Sequence, residues 1–326
     1  MLGGCATFDA EFPEQLDERV DLADVPFHPQ LDHHCGPAAL MTVLGAAGVH
    51  AEYARLAERV YVPGLEGSLQ VEMLAAARDF GRIPFRVAGS LAAVVGEVAA
   101  GRPVLILQNL RLRSLPAWHY AVVVGYDRST ERILMRSGRE RTLWTPADRW
   151  LRQWDWAGRW AAVVLPPGEL PVEIEPASAF RALADFDEQA GPDERSLAWR
   201  AAAARWPDSA LARMGVGNAE YAAGRIDDAA EAFEHALALE PDHWPAKLNL
   251  ALVDLERGRG CEVRERLEAD PLEPGHALSK IHGDALERAR AACRAAAPGS
   301  VDQPSASSGA DPVTKTLPVD SEIAVR

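Results

Sequence analysis

Basic side chains are the scarcer charge in this 326-residue chain. Lys and Arg number 34 against 48 Asp and Glu, which gives a formal net charge of −14. Because proteins bind nucleic acids by neutralising phosphates with cations, this balance argues against nucleic acid as the main partner. The sequence also lacks an apolar run long enough to cross a membrane. It has no glycine-rich loop followed by lysine that could hold ATP.

Cysteine is scarce as well, and its spacing does not indicate a metal centre. The four cysteines stand at positions 5, 35, 261 and 293, without the ligand spacing of a zinc site or the density of a disulfide scaffold. His33 and His34 adjoin Cys35, but no second ligand pair lies nearby, so we expect no metal and no cofactor. Cys261 and Cys293 fall on helical segments and could pair, although we expect free buried thiols.

Cys35 stands in the run His34-Cys35-Gly36-Pro37, which an apolar segment follows. Proline suits the first turn of a helix, and the alanines and leucines after it favour helix, so the pattern predicts a buried helix that stops at Gly48. The positive end of a helix favours a thiolate, which predicts a lowered pKa for Cys35. The alternative is a cysteine that serves only as a small buried apolar side chain.

A distant histidine is the candidate base for this thiol. His119 begins a β-branched run, residues 119–126, that predicts a strand. With a polar turn and a second strand at residues 132–136 it predicts a β-hairpin, and residues 102–108 and 160–165 predict further strands. A lone histidine at the start of a strand more often has a structural role. The catalytic interpretation of His119 requires that it lie close to Cys35 in space.

Gln30 lies five residues before the cysteine and could supply a hydrogen-bond donor. Acyl transfer requires uncharged N–H groups aimed at the oxyanion, and the Cys35 backbone N–H with the Gln30 amide could form such a pair. The alternative for Gln30 is a surface loop residue.

Four motifs in order resemble the bacteriocin-processing, double-glycine cysteine peptidases of the papain-like superfamily. They are Gln30 before residues 35–38, then residues 67–77, 101–106 and 119–127. The resemblance covers residues 20–167. It implies a papain-like α+β fold, in which an N-terminal helix packs on an antiparallel sheet. It also assigns Cys35 as the nucleophile, His119 as the base and Gln30 as the oxyanion donor.

One position departs from the family pattern. The family orients its histidine with an aspartate on the next strand, and Ser137 occupies that place. A serine can accept a hydrogen bond from the imidazole but carries no charge to stabilise an imidazolium. Asp127 is expected at the far end of its strand, and Asp148 and Asp155 are expected in a loop. Ser137 is therefore the weak favourite for the third position.

The second half of the chain resembles tetratricopeptide repeats. Prolines at positions 207, 241 and 274 are spaced by 34 and 33 residues, and helical segments with a central glycine turn lie between them. Residues 180–207 resemble a degenerate first copy, with Trp199 in the place of Phe233. The resemblance implies an all-α domain whose groove holds a peptide or a protein partner; the alternative is a stabilising appendage.

These observations predict four segments. Residues 1–19 are an N-terminal segment, 20–168 the peptidase-like domain, 169–297 the repeat domain and 298–326 a disordered tail. A cluster of arginines around the predicted hairpin could receive an acidic peptide, although a solvated sheet edge is the preferred interpretation.

Residues 2–5 resemble a bacterial lipobox in which Cys5 would be lipidated. A working signal needs a charged region and an apolar region before it, and only four residues precede Cys5. If the start is truncated, we expect an envelope lipoprotein attached to the membrane only through Cys5. If the chain is complete, we expect a cytoplasmic protein.

The leading functional hypothesis is a thiol peptidase that hydrolyses peptide bonds. Two alternatives remain open. A pseudo-peptidase would bind peptides without cutting them, and an amide or acyl-transfer enzyme would use the same residues for another reaction.

Overall fold

The computed structural model of the protein describes residues 11–31, 34–273 and 275–296. It divides into two compact units, Met1–Ala190 and Gly191–Arg326. Cys5 and the predicted tail, residues 298–326, lie outside the described residues, as does Pro274.

The first unit combines a sheet with six helices among its described residues. The strands are β1 Arg19–Asp21, β2 Ile83–Arg86, β3 Val104–Asn109, β4 Trp118–Asp127, β5 Arg132–Ser137, β6 Glu140–Pro146 and β7 Ala161–Leu165. The helices are α1 Cys35–Ala46, α2 Tyr53–Val60, α3 Gln70–Asp79, α4 Leu91–Ala99, α5 Ala147–Asp155 and α6 Pro176–Asp187, with a short 3-10 turn at Pro63–Leu65.

The strands form one antiparallel sheet in the order β2-β7-β3-β4-β5-β6, and β1 pairs with the end of β4. The predicted hairpin is confirmed, because β4 and β5 pair directly from Ala121 opposite Ser137 to Asp127 opposite Arg132. The other two predicted strands are present as β3 and β7, which also pair with each other.

Helix α1 packs on the sheet through an apolar face. Leu40, Val43 and Leu44 are fully buried in a cluster that includes Val122 and Val124 of β4. Gly48 follows the helix in the left-handed region, with φ of 78°, so the predicted stop is confirmed. This packing holds the first turn of α1 beside the start of β4.

Helix α5 corrects the expectation that Asp148 and Asp155 lie in a loop. Trp150 and Trp154 lie one helical turn apart, are fully buried, and stack with ring centroids 4.8 Å apart. That apolar spacing forms an amphipathic helix whose first and last turns carry the two aspartates. Asp155 pairs with Arg113 and Arg159 rather than with a histidine.

The second unit is all-α in its described residues. Its helices are α7 Pro192–Arg205, α8 Ala210–Ala222, α9 Ile226–Leu239, α10 Trp244–Glu256, α11 Gly260–Ala269 and α12 Ser279–Ala296. Helix α6, which the sequence analysis placed with the repeats, packs against β2 in the first unit instead. The division between units therefore falls after α6 rather than at residue 168.

Three positions repeat 34 residues apart in the second unit. Gly224 and Gly258 make the turns between paired helices, with φ of 73° and 77°. Glu220 and Asp254 are buried carboxylates just before these turns, and each pairs with the arginine five residues on. Burial acts to raise the pKa of Glu220, but hydrogen bonds from Arg200, Ser196 and Arg225 outweigh it and lower that pKa overall. Each repeat thus includes a buried carboxylate that pairs with an arginine at the turn between its two helices.

Cys261 and Cys293 form a disulfide, so the prediction of free thiols is wrong. Helices α11 and α12 approach closely at Gly260, where an added Cβ would lie 2.6 Å from the Ala292 Cβ. This approach places the two Cα atoms 4.5 Å apart, within the range that a disulfide spans. The helix register that brings the cysteines together across 32 residues could not be read from their spacing.

No helix in the described ranges is both long and apolar enough to span a bilayer.

Two glycines test the packing of the repeats. A Cβ at Gly217 would collide with the Phe233 ring, whereas nothing lies within 4 Å of a Cβ at Gly283 of α12. We predict that Gly217→Ala lowers the free energy of unfolding by about 1–3 kcal/mol through overpacking. Gly283→Ala should raise it by about 0.5–1 kcal/mol, because the unfolded chain loses freedom. Urea unfolding followed by circular dichroism measures both; equal effects would contradict the close contact.

Candidate active site

Cys35 is the first residue of α1 and is partly buried. Burial raises the pKa of the Cys35 thiol, and the backbone N–H groups of Tyr120, Gly36 and Cys35 itself lower it without cancelling that effect. The prediction of a lowered pKa is therefore wrong for the free protein. The predicted helix start holds, but loss of solvation outweighs the N–H groups at the helix end.

Gly36 lets the next segment approach the cysteine closely. A Cβ at Gly36 would collide with the Ser68 side chain, so only glycine allows this approach. The Ser68 carbonyl accepts a hydrogen bond from the Tyr120 hydroxyl at 3.3 Å. The loop before α3 therefore joins the start of α1 to the start of β4, next to the thiol.

His119 and Ser137 meet across the β4–β5 pair. His119 Nε2 lies 2.9 Å from Ser137 Oγ, a hydrogen-bond distance, so Ser137 occupies the position predicted for an orienting group. Burial lowers the pKa of His119 to about 4. The imidazole is therefore neutral at pH 7, and its Nδ1 remains for another partner.

Gln30 lies beside these groups at the β5–β6 turn. Its backbone N–H donates to the Gly138 carbonyl at 3.0 Å. A Cβ added to Gly138 would lie 3.8 Å from Gln30 Oε1 and 4.0 Å from His119 Cε1, so both side chains flank this glycine. One cleft is lined by residues that include Gln30, Cys35, Tyr120, Arg136, Ser137 and Gly138.

The structure thus gathers Cys35, Gln30 and Ser137 around one cleft, with His119 hydrogen-bonded to Ser137. In the described part of the chain, no hydrogen bond joins His119 to the thiol. Catalytic hydrogen bonds are often long in enzymes without substrate and shorten in the substrate complex. The free site therefore holds a neutral thiol and a neutral imidazole.

Asp127 does not orient the histidine, as expected from its place at the far end of β4. Ser129 Oγ donates to its carboxylate at 2.8 Å and the Thr130 N–H at 3.0 Å, and these bonds lower the pKa of Asp127. This carboxylate closes the β4–β5 turn.

His34 lies against two tyrosines. Its Nδ1 lies 2.8 Å from the Tyr53 hydroxyl, and its ring lies 4.4 Å from that of Tyr61. Within the described ranges, no three His, Cys, Asp or Glu side chains gather as metal ligands. His33 lies outside those ranges.

Three arginines of the hairpin region donate to backbone carbonyls. Arg128 donates to Leu16 O, Arg132 to Trp144 O and Arg136 to Arg141 O, at distances of 2.6–2.9 Å. These bonds join neighbouring segments to the sheet, a role that the sequence did not predict.

Sequence reasoning missed the contributions of Gly138, Ser68 and the Tyr120 N–H. Gly138 adopts φ of 64°, and the Ser-Gly pair at residues 137–138 was a turn signal that could have located it. The Tyr120 N–H is a backbone group that every residue type except proline provides, so the sequence could not indicate its contribution.

Two parts of the chain match models of protein families. Residues 22–156 match the Peptidase C39 like family. Residues 195–243 and 220–277 match two tetratricopeptide repeat families. A search of curated proteins found no match.

Two solved structures resemble part of the chain. A C39-like peptidase from Bacillus anthracis is 20% identical, with a TM-score of 0.39, over 46% of this chain and 98% of that one. A double-glycine motif protease from an AMS/PCAT transporter, in complex with the leader peptide, is 19% identical, with a TM-score of 0.33, over 44% of this chain and 93% of that one.

The family match spans the helix that carries Cys35 and the strands that carry His119 and Ser137. Residues 22–156 therefore form a domain like that of the Peptidase C39 like family, an antiparallel sheet with helices, and a helical region that matches tetratricopeptide repeats follows it.

Proposed function

We propose that the protein is a cysteine peptidase that cuts peptide bonds through Cys35. The observation that carries this proposal is the single cleft in which the Cys35 thiol, the Gln30 amide and the His119-bound Ser137 come together. A thiol, a base and an uncharged donor are the groups that acyl transfer requires.

In this mechanism, substrate binding brings the thiol and the imidazole together. His119 Nδ1 accepts the thiol proton while Nε2–H donates to Ser137 Oγ, which fixes the tautomer. Cys35 Sγ attacks the carbonyl carbon, and the Cys35 N–H and Gln30 Nε2 stabilise the oxyanion. The intermediate collapses, the leaving amine takes the proton from His119, and water hydrolyses the thioester.

Gln30 lines the same cleft as Cys35, which suits its side-chain amide to the donor role. Its Oε1 atom is buried without a hydrogen-bond partner in the described part of the chain. The donor role requires Nε2 to face the carbonyl oxygen of the substrate.

A peptide-binding pseudo-peptidase is the second candidate. The raised pKa of Cys35, the lowered pKa of His119 and the uncharged Ser137 all favour a site that rests without an ion pair. In this alternative the same cleft holds peptides and releases them intact.

We assign the repeats a docking role for a peptide or a protein partner. Tetratricopeptide hairpins present extended surfaces of this kind, and two such hairpins, α8–α9 and α10–α11, follow each other here. A substrate whose kcat/KM is unaffected by surface substitutions throughout α8 and α10 would argue against this role.

We also propose a cell-envelope location. The disulfide between Cys261 and Cys293 fits an oxidising compartment, and the lipobox-like residues before Cys5 point to the same place. A cytoplasmic protein would keep both thiols reduced.

The peptidase proposal is tested by profiling peptide libraries with wild-type protein and Cys35→Ala, with products read by mass spectrometry. We expect wild type to produce new termini and Cys35→Ala to produce none, because the thioester cannot form. Cys5→Ala, which also removes one thiol, should keep full activity. Peptides that bind to wild type but remain uncut would support the pseudo-peptidase instead, and products carrying an added amine would indicate acyl transfer.

The charge state of the site gives a second prediction. In wild type, iodoacetamide should label Cys35 slowly at pH 6 and faster as the pH rises, because a raised pKa delays thiolate formation. Ser137→Asp should accelerate labelling at pH 6, since a carboxylate beside His119 favours an imidazolium that stabilises the thiolate. Each unit by which the thiol pKa falls gives about tenfold more thiolate.

Ser137→Asn is the matched control, because it offers a hydrogen bond of similar geometry without charge. Its labelling rate should stay close to that of wild type. Equal rates for Asp and Asn variants would contradict the electrostatic account of this position.

The envelope proposal predicts the oxidation state of the second unit. Protein isolated from envelope fractions and blocked at once with N-ethylmaleimide should show Cys261 and Cys293 unlabelled until a reductant is added. Reduction should then lower the free energy of unfolding by about 4 kcal/mol, as expected for a disulfide that closes a loop of this length. Two labelled thiols in freshly blocked protein would refute the location.

A further inference from the structure

Large apolar side chains that face solvent lie close in sequence to the residues of the candidate site. In the described part of the first unit, all but Val172 fall in three segments that adjoin Cys35, Ser68 or His119. These side chains are Leu31, then Leu65, Leu69 and Val71, then Leu110, Leu112, Leu115 and Trp118. An exposed apolar group of this kind marks a binding surface.

The third segment consists of the ordered loop between β3 and β4, residues 110–117, and Trp118, the first residue of β4. Asn109, which is buried, accepts hydrogen bonds from the Arg111 and Ala117 N–H groups and donates to Leu112 O. The Leu115 N–H closes a further turn onto Leu112 O at 3.1 Å. The hydrogen bonds of Asn109 thus hold the loop in a conformation in which its apolar side chains face solvent.

The exposed side chains of this loop are large. Leu112 and Leu115 are 61% and 62% exposed, and Trp118 is 57% exposed. Ordering such groups in water brings no burial energy, so the fold alone does not account for them. The loop is therefore suited to an apolar group that arrives from outside.

The chemistry of cleavage decides which part of a peptide meets this loop. The leaving amine must take its proton from the imidazole, so the chain that follows the scissile bond lies on the His119 side of the site. Trp118 directly precedes His119 and pairs across the sheet with Asn109. The segment near Ser68 and Gly36 lies on the side of the nucleophile instead.

We propose that residues 110–118 select substrates with large apolar residues directly after the scissile bond. The inference rests on the proposed peptidase function and names its substrate class. We favour a peptide over a membrane surface as the occupant, because the loop leads directly into the strand that carries His119.

The test measures kcat/KM for peptides that share one acyl side and carry Leu, Ser or Asp at the first two positions after the cleaved bond. With wild type we expect Leu to exceed Ser by about 10-fold or more, the scale of discrimination in an apolar pocket. Leu112→Ser with Leu115→Ser should reduce that ratio to about 1–2-fold while the Ser peptide keeps its rate. Asn109→Ala, which keeps the leucines but loosens the loop, should reduce the same ratio.

Leu197→Ser, which removes an exposed leucine of the second unit, is the control and should leave the ratio unchanged. Cleavage by wild type without preference for Leu after the bond would overturn the inference and leave the peptidase proposal standing. No cleavage of any peptide would overturn both. Sedimentation with phosphatidylglycerol vesicles that depends on Leu112 and Leu115, with no change in the peptide ratio, would assign the loop to a membrane and overturn it as well.

Discussion

The packing of α1 against β4 is the contact on which the site depends. Leu40, Val43 and Leu44 are removed from water almost completely, and each such side chain stabilises the fold by about 1.5–3 kcal/mol. Because the helix begins at Cys35, that apolar contact also fixes the thiol beside the Tyr120 N–H. The same burial raises the thiol pKa, so stability and nucleophile activation oppose each other at this position.

In the proposed mechanism, the Cys35 thiol and the His119 imidazole stay neutral until a substrate binds. Burial lowers the pKa of His119 to about 4, and Ser137 orients the ring without supplying charge. A carboxylate in its place would favour a permanent imidazolium and thiolate. In the mechanism we propose, proton transfer waits for a substrate to exclude water and align the groups. We therefore propose that Ser137, in the place where the family pattern has an aspartate, leaves the Cys35 thiol unreactive until a substrate binds.

Local patterns predicted the parts of the fold that depend on neighbours in sequence. The apolar run after Pro37 gave α1, and the β-branched run after His119 gave the hairpin, because periodicity and turn chemistry act over a few residues. The disulfide escaped prediction because it depends on the register of two helices. The predicted lowering of the Cys35 pKa was wrong because burial, a property of the tertiary structure, outweighed the effect of the N–H groups at the helix end. The amphipathic spacing of Trp150 and Trp154 was present in the sequence and could have located α5.

The central claim is that Cys35 attacks a carbonyl whose oxygen is held by Gln30 and the Cys35 N–H. A crystal structure of the protein treated with a peptide aldehyde tests it directly, since a thiol nucleophile adds to an aldehyde as a hemithioacetal. We expect a bond from Cys35 Sγ to the aldehyde carbon, with the oxygen about 2.7–3.1 Å from Gln30 Nε2 and from the Cys35 nitrogen. An aldehyde that leaves Cys35 unmodified, or an adduct whose oxygen faces away from Gln30, would contradict the account.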